Sequence, residues 1–153
     1  MSLESAGARY GFGARSYTSD FKQSEVFVNW NLPWSYDLFT RWHLSWKLDC
    51  AAGWLGGAGD DAAIFSSGPT LMLRRNHIPL ALEFGTTPTL MTRENFGGKD
   101  LGSLVQFTSY GTLDWELGHH FRIGYRYQHM SNAHLGGSNP GLNMHTFQAA
   151  WRF

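Results

Sequence analysis

The sequence predicts an all-β protein, an eight-stranded antiparallel up-and-down barrel that crosses a membrane. Composition is the first reason: 16% aromatic residues, 18 glycines and only 16% charged residues among 153 suit pleated, half-buried strands. The second is negative, because no segment sustains the i, i+3, i+4, i+7 pattern of an amphipathic helix. The third is repetition. Eight alternating segments, separated by Gly-, Asp- and Asn-rich turns, fill the chain. An even number of hairpin-joined strands can close without leaving an edge. No linker or shift in composition divides residues 1–153, which read as one domain.

The segments run in order. Ala8–Thr18 (ARYGFGARSYT) and Ser24–Leu32 (SEVFVNWNL) open the series. In the third, Leu38–Leu55, Trp42, Leu44, Trp46 and Leu48 alternate with Arg41, His43, Ser45, Lys47 and Asp49. The fourth, Ala62–Arg74, alternates poorly and contains Pro69. In the fifth, Ile78–Met91, Ile78, Leu80, Leu82 and Phe84 oppose Ala81 and Glu83. In the sixth, Ser103–Leu117, Val105, Phe107, Leu113, Trp115 and Leu117 oppose Gln106, Thr108, Asp114 and Glu116. The seventh, His120–Asn132, sets Phe121, Ile123, Tyr125 and Tyr127 against Arg122, Gly124, Arg126 and Gln128. The eighth, Asn143–Phe153, carries Phe147, Ala149, Trp151 and Phe153 in phase.

Parity decides which solvent the barrel was built for. A soluble barrel hides its apolar faces inside, whereas a membrane barrel turns them outward around a polar interior. The polar faces carry both signs of charge (Arg41, Lys47, Asp49, Glu83, Asp114, Glu116, Arg122, Arg126 and Arg152) and could neutralise one another in a narrow lumen. Several segments reach the roughly 9–11 residues a tilted strand needs to cross a bilayer. The apolar faces are rich in Trp and Tyr, as interfacial girdles are. The membrane reading is therefore preferred, and a soluble ligand-binding barrel is its alternative. Both termini then lie on the periplasmic side of a bacterial outer membrane. The connections GGAGD, ENFGGKD and HLGGSNPGL lie on the outer side, and RRNH and GHH on the inner one.

Other features narrow the function. A formal net charge of zero gives no electrostatic reason to expect a nucleic-acid partner. The lone Cys50 excludes an intramolecular disulfide and reads as a small hydrophobe. No apolar run of about 18 residues exists to form a transmembrane helix. The opening MSLES carries no secretion signal and reads as a start placed on a mature chain. No glycine-rich stretch leads into a helix, so none is a phosphate loop.

One pattern carries chemistry. Continuing the odd parity of the seventh strand past Tyr127 puts His129 and Ser131 on the lipid-facing side, near the outer leaflet. Residues i and i+2 lie about 6.6 Å apart along a strand, and an imidazole can span that gap. An imidazole that accepts the proton makes serine a competent nucleophile, provided its other nitrogen is held. If the last hairpin is symmetric, Asn143 faces Ser131 and His145 faces His129. Asn143 shares the outward parity and can accept the imidazole N–H, though without a carboxylate's charge. Asn132, next to the serine, can donate to a developing oxyanion together with a loop N–H. Blander readings stand beside these. A His-x-Ser pair recurs by chance; Asn132, Asn139, Pro140 and Gly141 suit a turn; His119 and His120 suit a solvated turn; Glu83 and Asp114 suit interior ion pairs. A metal site from His129, His134 and His145 lacks clustered carboxylates.

The stretch YQHMSNAHLGGSNPGLN, Tyr127–Asn143, resembles the C-terminal motif of PagL, the outer-membrane lipid A 3-O-deacylases. In that family a His-x-Ser-Asn sequence ends the penultimate strand, and a loop containing Asn-x-Gly leads into the last. The resemblance implies an eight-stranded barrel whose site faces the outer leaflet. It implies Ser131 as nucleophile, His129 as general base and Asn132 as the oxyanion-stabilising asparagine. The family's glutamate, fourteen residues after the histidine, is here Asn143. The implied reaction is hydrolysis of the acyl ester at the 3-position of lipid A in lipopolysaccharide, without a cofactor. Lipopolysaccharide and outer-membrane lipids are the implied partners. Monomer and dimer both fit the sequence, and a non-enzymatic structural or adhesive barrel is the alternative function.

Overall fold

The computed structural model describes residues 1–39, 41–136 and 139–153, with Tyr17 described by its backbone alone. Gly137 and Ser138 of the final loop, and Thr40 of the expected third segment, lie outside the described residues. Eight antiparallel strands close a barrel: β1 (Ser2–Gly13), β2 (Lys22–Leu38), β3 (Trp42–Gly57), β4 (Asp60–Arg75), β5 (Leu80–Met91), β8 (Val105–Leu117), β9 (Phe121–Ser131) and β10 (Leu142–Arg152). Each pairs with its sequence neighbours, and β1 closes on β10. Between β5 and β8 a small hairpin, β6 (Asn95–Phe96) and β7 (Lys99–Asp100), turns through Gly97 and Gly98 at positive φ. Positive φ at both central residues is what a type I′ two-residue hairpin turn demands.

Strands three to eight of the sequence reading match within a few residues, but the first two do not. β1 starts at Ser2 and ends at Gly13, not at Thr18. An irregularity between Leu3 and Ser5 against β2 turns both Glu4 and Ser5 inward, which erases the alternation that marks a strand. Beyond Gly13 the Thr18 hydroxyl bonds the Arg15 carbonyl at 3.0 Å, and Ser16–Thr18 form a 3-10 turn. β2 runs on to Leu38 through Pro33, which sits in a second irregularity between Asn31 and Ser35, where a missing N–H is tolerated. GGAGD, expected as an outer loop, is a two-residue turn through Ala58 and Gly59 at φ 51° and 87°.

The parity reading decides the exterior. Phe121, Ile123, Tyr125 and Tyr127 of β9 are exposed while Arg122, Arg126 and Gln128 are buried. Trp42, Leu44, Trp46 and Leu48 face outward from β3, whereas Lys47 and Asp49 are buried. Trp42 and Trp54 share this outer row twelve residues apart. That is about 40 Å of strand and, at a tilt near 45°, about 28 Å of height, the thickness of a hydrocarbon core. An oily outside around a charged inside is a membrane barrel, not a soluble one.

Inside, six cations meet six carboxylates: Arg9, Lys47, Arg74, Arg122, Arg126 and Arg152 against Glu4, Glu25, Asp49, Glu83, Asp114 and Glu116. Arg9 bonds Asp49, and Arg126 reaches the same carboxylate at 3.8 Å. Arg41, expected on this polar face, instead lies exposed in the turn before β3. The lumen is not polar throughout. At the end away from the termini, Phe21, Leu55, Ile64, Met91, Phe96, Leu101, Met130, Leu142 and Met144 form a buried apolar plug. The β6–β7 hairpin supplies Phe96 to it, and the inward residues of β9 and β10 lie directly behind the His129 face.

Candidate active site

β9 and β10 form the site. The alternation that turns Arg126, Gln128 and Met130 inward turns Tyr127, His129 and Ser131 outward. Asn143 is the cross-strand partner of His129, and His145 that of Tyr127. The symmetric-hairpin expectation, with Asn143 opposite Ser131 and His145 opposite His129, is thus off by two residues. The loop closes later than symmetry assumes. Gly141 at φ 61° turns the chain back onto β9, so pairing begins at Leu142 with Met130, and Ser131 pairs only with Phe107 of β8.

The shifted register brings the two polar groups together. His129 Nδ1 and Asn143 Oδ1 lie 2.7 Å apart. With an acceptor oxygen on Nδ1, the proton sits there and Nε2 carries the free lone pair. The backbone carbonyl of Asn143 is itself held by the Ala14 N–H at 2.8 Å. Ser131, half-buried, follows two residues later on the same face, and its hydroxyl makes no hydrogen bond with the described residues.

Gly141 is a member of the site that sequence reasoning treated only as a turn residue. A Cβ there would stand 2.8 Å from His129 Cε1, so the imidazole packs against bare backbone. The Asn-x-Gly spacing just before β10 was its signal.

Asn132 is placed differently from the expectation. It is fully buried, its Nδ2 donates to the Leu101 carbonyl at 3.0 Å, and its Oδ1 accepts the His134 N–H at 2.9 Å. Its own N–H goes to Asn139 Oδ1 at 3.1 Å. The side chain is therefore spent inside, tying the loop to the β6–β7 side of the plug, and does not face an ester beside Ser131. The remaining histidines do not converge on His129: His145 Nδ1 bonds the Tyr125 hydroxyl at 2.6 Å, and His134 sits in the loop at φ 65°.

A groove of ≈ 740 Å³ leads away from His129 over the outer wall. Tyr127 and Phe84 flank it, Gly111 floors it, and Leu71, Pro69 and Trp46 continue it. Tyr127, Gly111, Phe84, Leu71 and Trp46 are successive cross-strand partners from β9 to β3. In this row of large apolar side chains only Gly111 has none. A Cβ at Gly111 would meet Phe84 at an ordinary 3.5 Å, so the gap comes from the missing side chain alone.

The family model described as PagL, lipid A 3-O-deacylase, matches residues 23–152. The chain belongs to the PagL family. It is 35% identical over 72 residues to the lipid A deacylase PagL of Bordetella bronchiseptica, an alignment covering 47% of this chain and 40% of that relative. The crystal structure of the outer membrane enzyme PagL superposes with a TM-score of 0.82 at 18% identity, covering 95% of this chain and 97% of the other. The Yersinia pestis outer membrane protein Ail, solved in a phospholipid bilayer nanodisc, matches at a TM-score of 0.55 and 15% identity over 100% of both chains. At these identities the two solved structures attest the barrel fold alone.

Proposed function

We propose that the protein is a serine esterase of the bacterial outer membrane. It hydrolyses the ester-linked acyl chain at the 3-position of lipid A, with its site toward the outer leaflet. The carrying observation is the 2.7 Å contact of His129 Nδ1 with Asn143 Oδ1 on the lipid-facing wall, Ser131 following on the same face. Asn143 fixes the imidazole; Nε2 takes the Ser131 proton as Oγ attacks the ester carbonyl. The protonated imidazole then returns that proton to the lipid A 3-hydroxyl as it leaves. Water, deprotonated by the same nitrogen, releases the 3-hydroxy fatty acid. The Ala133 N–H is the oxyanion donor in this reading, since the Asn132 amide is committed inside and the N–H groups of Asn132, His134 and Leu135 are committed within the loop. The groove over Gly111 holds the acyl chain, which need not leave the hydrocarbon to react.

The direct test is mass spectrometry of lipid A after incubation of lipopolysaccharide micelles with the protein. Loss of one 3-hydroxy acyl chain is expected, and unaltered lipid A would reject the reading in favour of a non-enzymatic barrel. Two variants probe its parts. Asn143→Glu places a charge beside the imidazolium. A charged hydrogen bond exceeds a neutral one by about 1–1.5 kcal/mol, so deacylation is expected to speed up roughly tenfold. An unchanged or lower rate in a folded Asn143→Glu barrel would mean that Asn143 does not support the base. Gly111→Leu fills the groove floor. The rate on lipopolysaccharide is expected to fall at least about tenfold, with hydrolysis of a short soluble ester nearly unchanged. Equal losses on both substrates would place the acyl chain elsewhere.

A further inference from the structure

The end of the barrel opposite His129, formed by the short turns and both termini, has its own unexplained chemistry. The arginines of the lumen all reach carboxylates within 4.0 Å, but Arg41 and Arg75 reach none among the described residues. Both line one recess of ≈ 430 Å³ with Asn76, His77 and Ile78. Arg75 ends the outward row Leu71, Leu73, Arg75, and its guanidinium lies 5.5 Å over the ring of Trp42, its cross-strand partner. A cation is thus anchored at the rim of the oily wall, where only an anion at the membrane surface would complement it.

The turn that carries the recess is well tied. The Asn76 N–H donates to the Arg41 carbonyl at 2.8 Å, and the Ile78 N–H to that of Arg75 at 3.3 Å. His77 sits at φ 66°, a conformation L side chains avoid. Directly along the wall from this recess runs an apolar groove of ≈ 180 Å³, lined by Trp42, Leu73, Leu80, Leu82 and Leu113. Arg75 and Ile78 belong to both. A bare phosphate would have no use for the groove, and a neutral lipid none for the arginines.

We propose that this end binds one anionic phospholipid of the leaflet opposite the Ser131 face. Its phosphate is held by Arg41 and Arg75, and an acyl chain lies between Trp42 and Leu82. The inference requires only that the barrel span a bilayer, and stands apart from the deacylase reading. A zwitterionic headgroup would bring its ammonium toward the two guanidiniums, so selectivity for net-negative headgroups follows.

The test uses the full chain in micelles containing equal phosphatidylglycerol and phosphatidylcholine, with native mass spectrometry counting the lipid retained. One phosphatidylglycerol is expected to be held at least about tenfold over phosphatidylcholine. The Arg41→Gln/Arg75→Gln variant should lose that preference. Leu82→Trp, which keeps both charges but fills the groove, should weaken retention severalfold. Inorganic phosphate at about 10 mM should not displace the lipid. Equal retention of the two lipids by the wild type, a measurement that needs no variant, overturns the proposal. So does an unchanged preference in the Arg41→Gln/Arg75→Gln variant or undiminished retention in Leu82→Trp, and displacement by phosphate would reduce the site to a free-anion recess. Because no lipopolysaccharide is present, failure here leaves the esterase reading untouched, and the reverse also holds.

Discussion

Replacing Ser131 by alanine is expected to lower release of 3-hydroxy acyl chains from lipopolysaccharide by at least about a thousandfold, with the barrel still folded. The hydroxyl is half-buried at the end of β9 and bonds no described residue, so its loss costs little stability. The folded control is the heat-dependent gel mobility of a closed barrel. His129→Ala should cost nearly as much, and the double variant hardly more than either single one, because nucleophile and base act as a unit. Additive losses would mean that the two side chains work separately, for instance in binding a headgroup. A Ser131→Ala protein that deacylates at the wild-type rate would remove the nucleophile and with it the mechanism.

Parity was the part of this site most legible in the sequence. It placed His129, Ser131 and Asn143 on one face of the wall because strand side chains alternate strictly, and β9 and β10 contain no bulge. Register was less legible. It depends on where the loop turns back, and that is fixed by Gly141 at φ 61°, which composition does not reveal. A shift of two residues preserves parity, so His129, Ser131 and Asn143 still share one face, with cross-strand partners other than those expected. Asn132 obeys the same parity: its even number places its side chain with Arg122, Arg126 and Met130 on the inward face, whereas the oxyanion reading rested on its place next to Ser131. The irregularities at Glu4 and Pro33 hid the first two strands for a local reason: each bulge breaks the period-two signal at one point. The apolar plug was visible in principle. Met130, Leu142 and Met144 all stand on lumen parity, where a wholly polar interior would not put them.

The interior ion pairs make a second large effect measurable. Lys47 and Glu83 are in direct contact, their side chains 0% and 1% exposed. Lys47→Met strips Glu83 of that partner and leaves Arg122, at 3.6 Å, as its only ion-pair partner within 4.0 Å among the described residues, a guanidinium already engaged by Glu4 at 3.2 Å and Asp114 at 3.6 Å. The balanced lumen then holds one carboxylate too many, and the apolar plug closes one end against water. Breaking a buried pair in this way costs about 3–5 kcal/mol, whereas replacing both partners by apolar groups of similar volume is often neutral. Lys47→Met should therefore unfold at clearly lower urea in detergent micelles, and Lys47→Met/Glu83→Leu should regain most of the loss. The recovery separates a pairing effect from packing damage, which the double variant would only deepen. If Lys47→Met unfolds at the wild-type urea concentration, the lumen is wet enough to solvate Glu83. The ion network would then be a lining of the barrel and not part of what holds it closed.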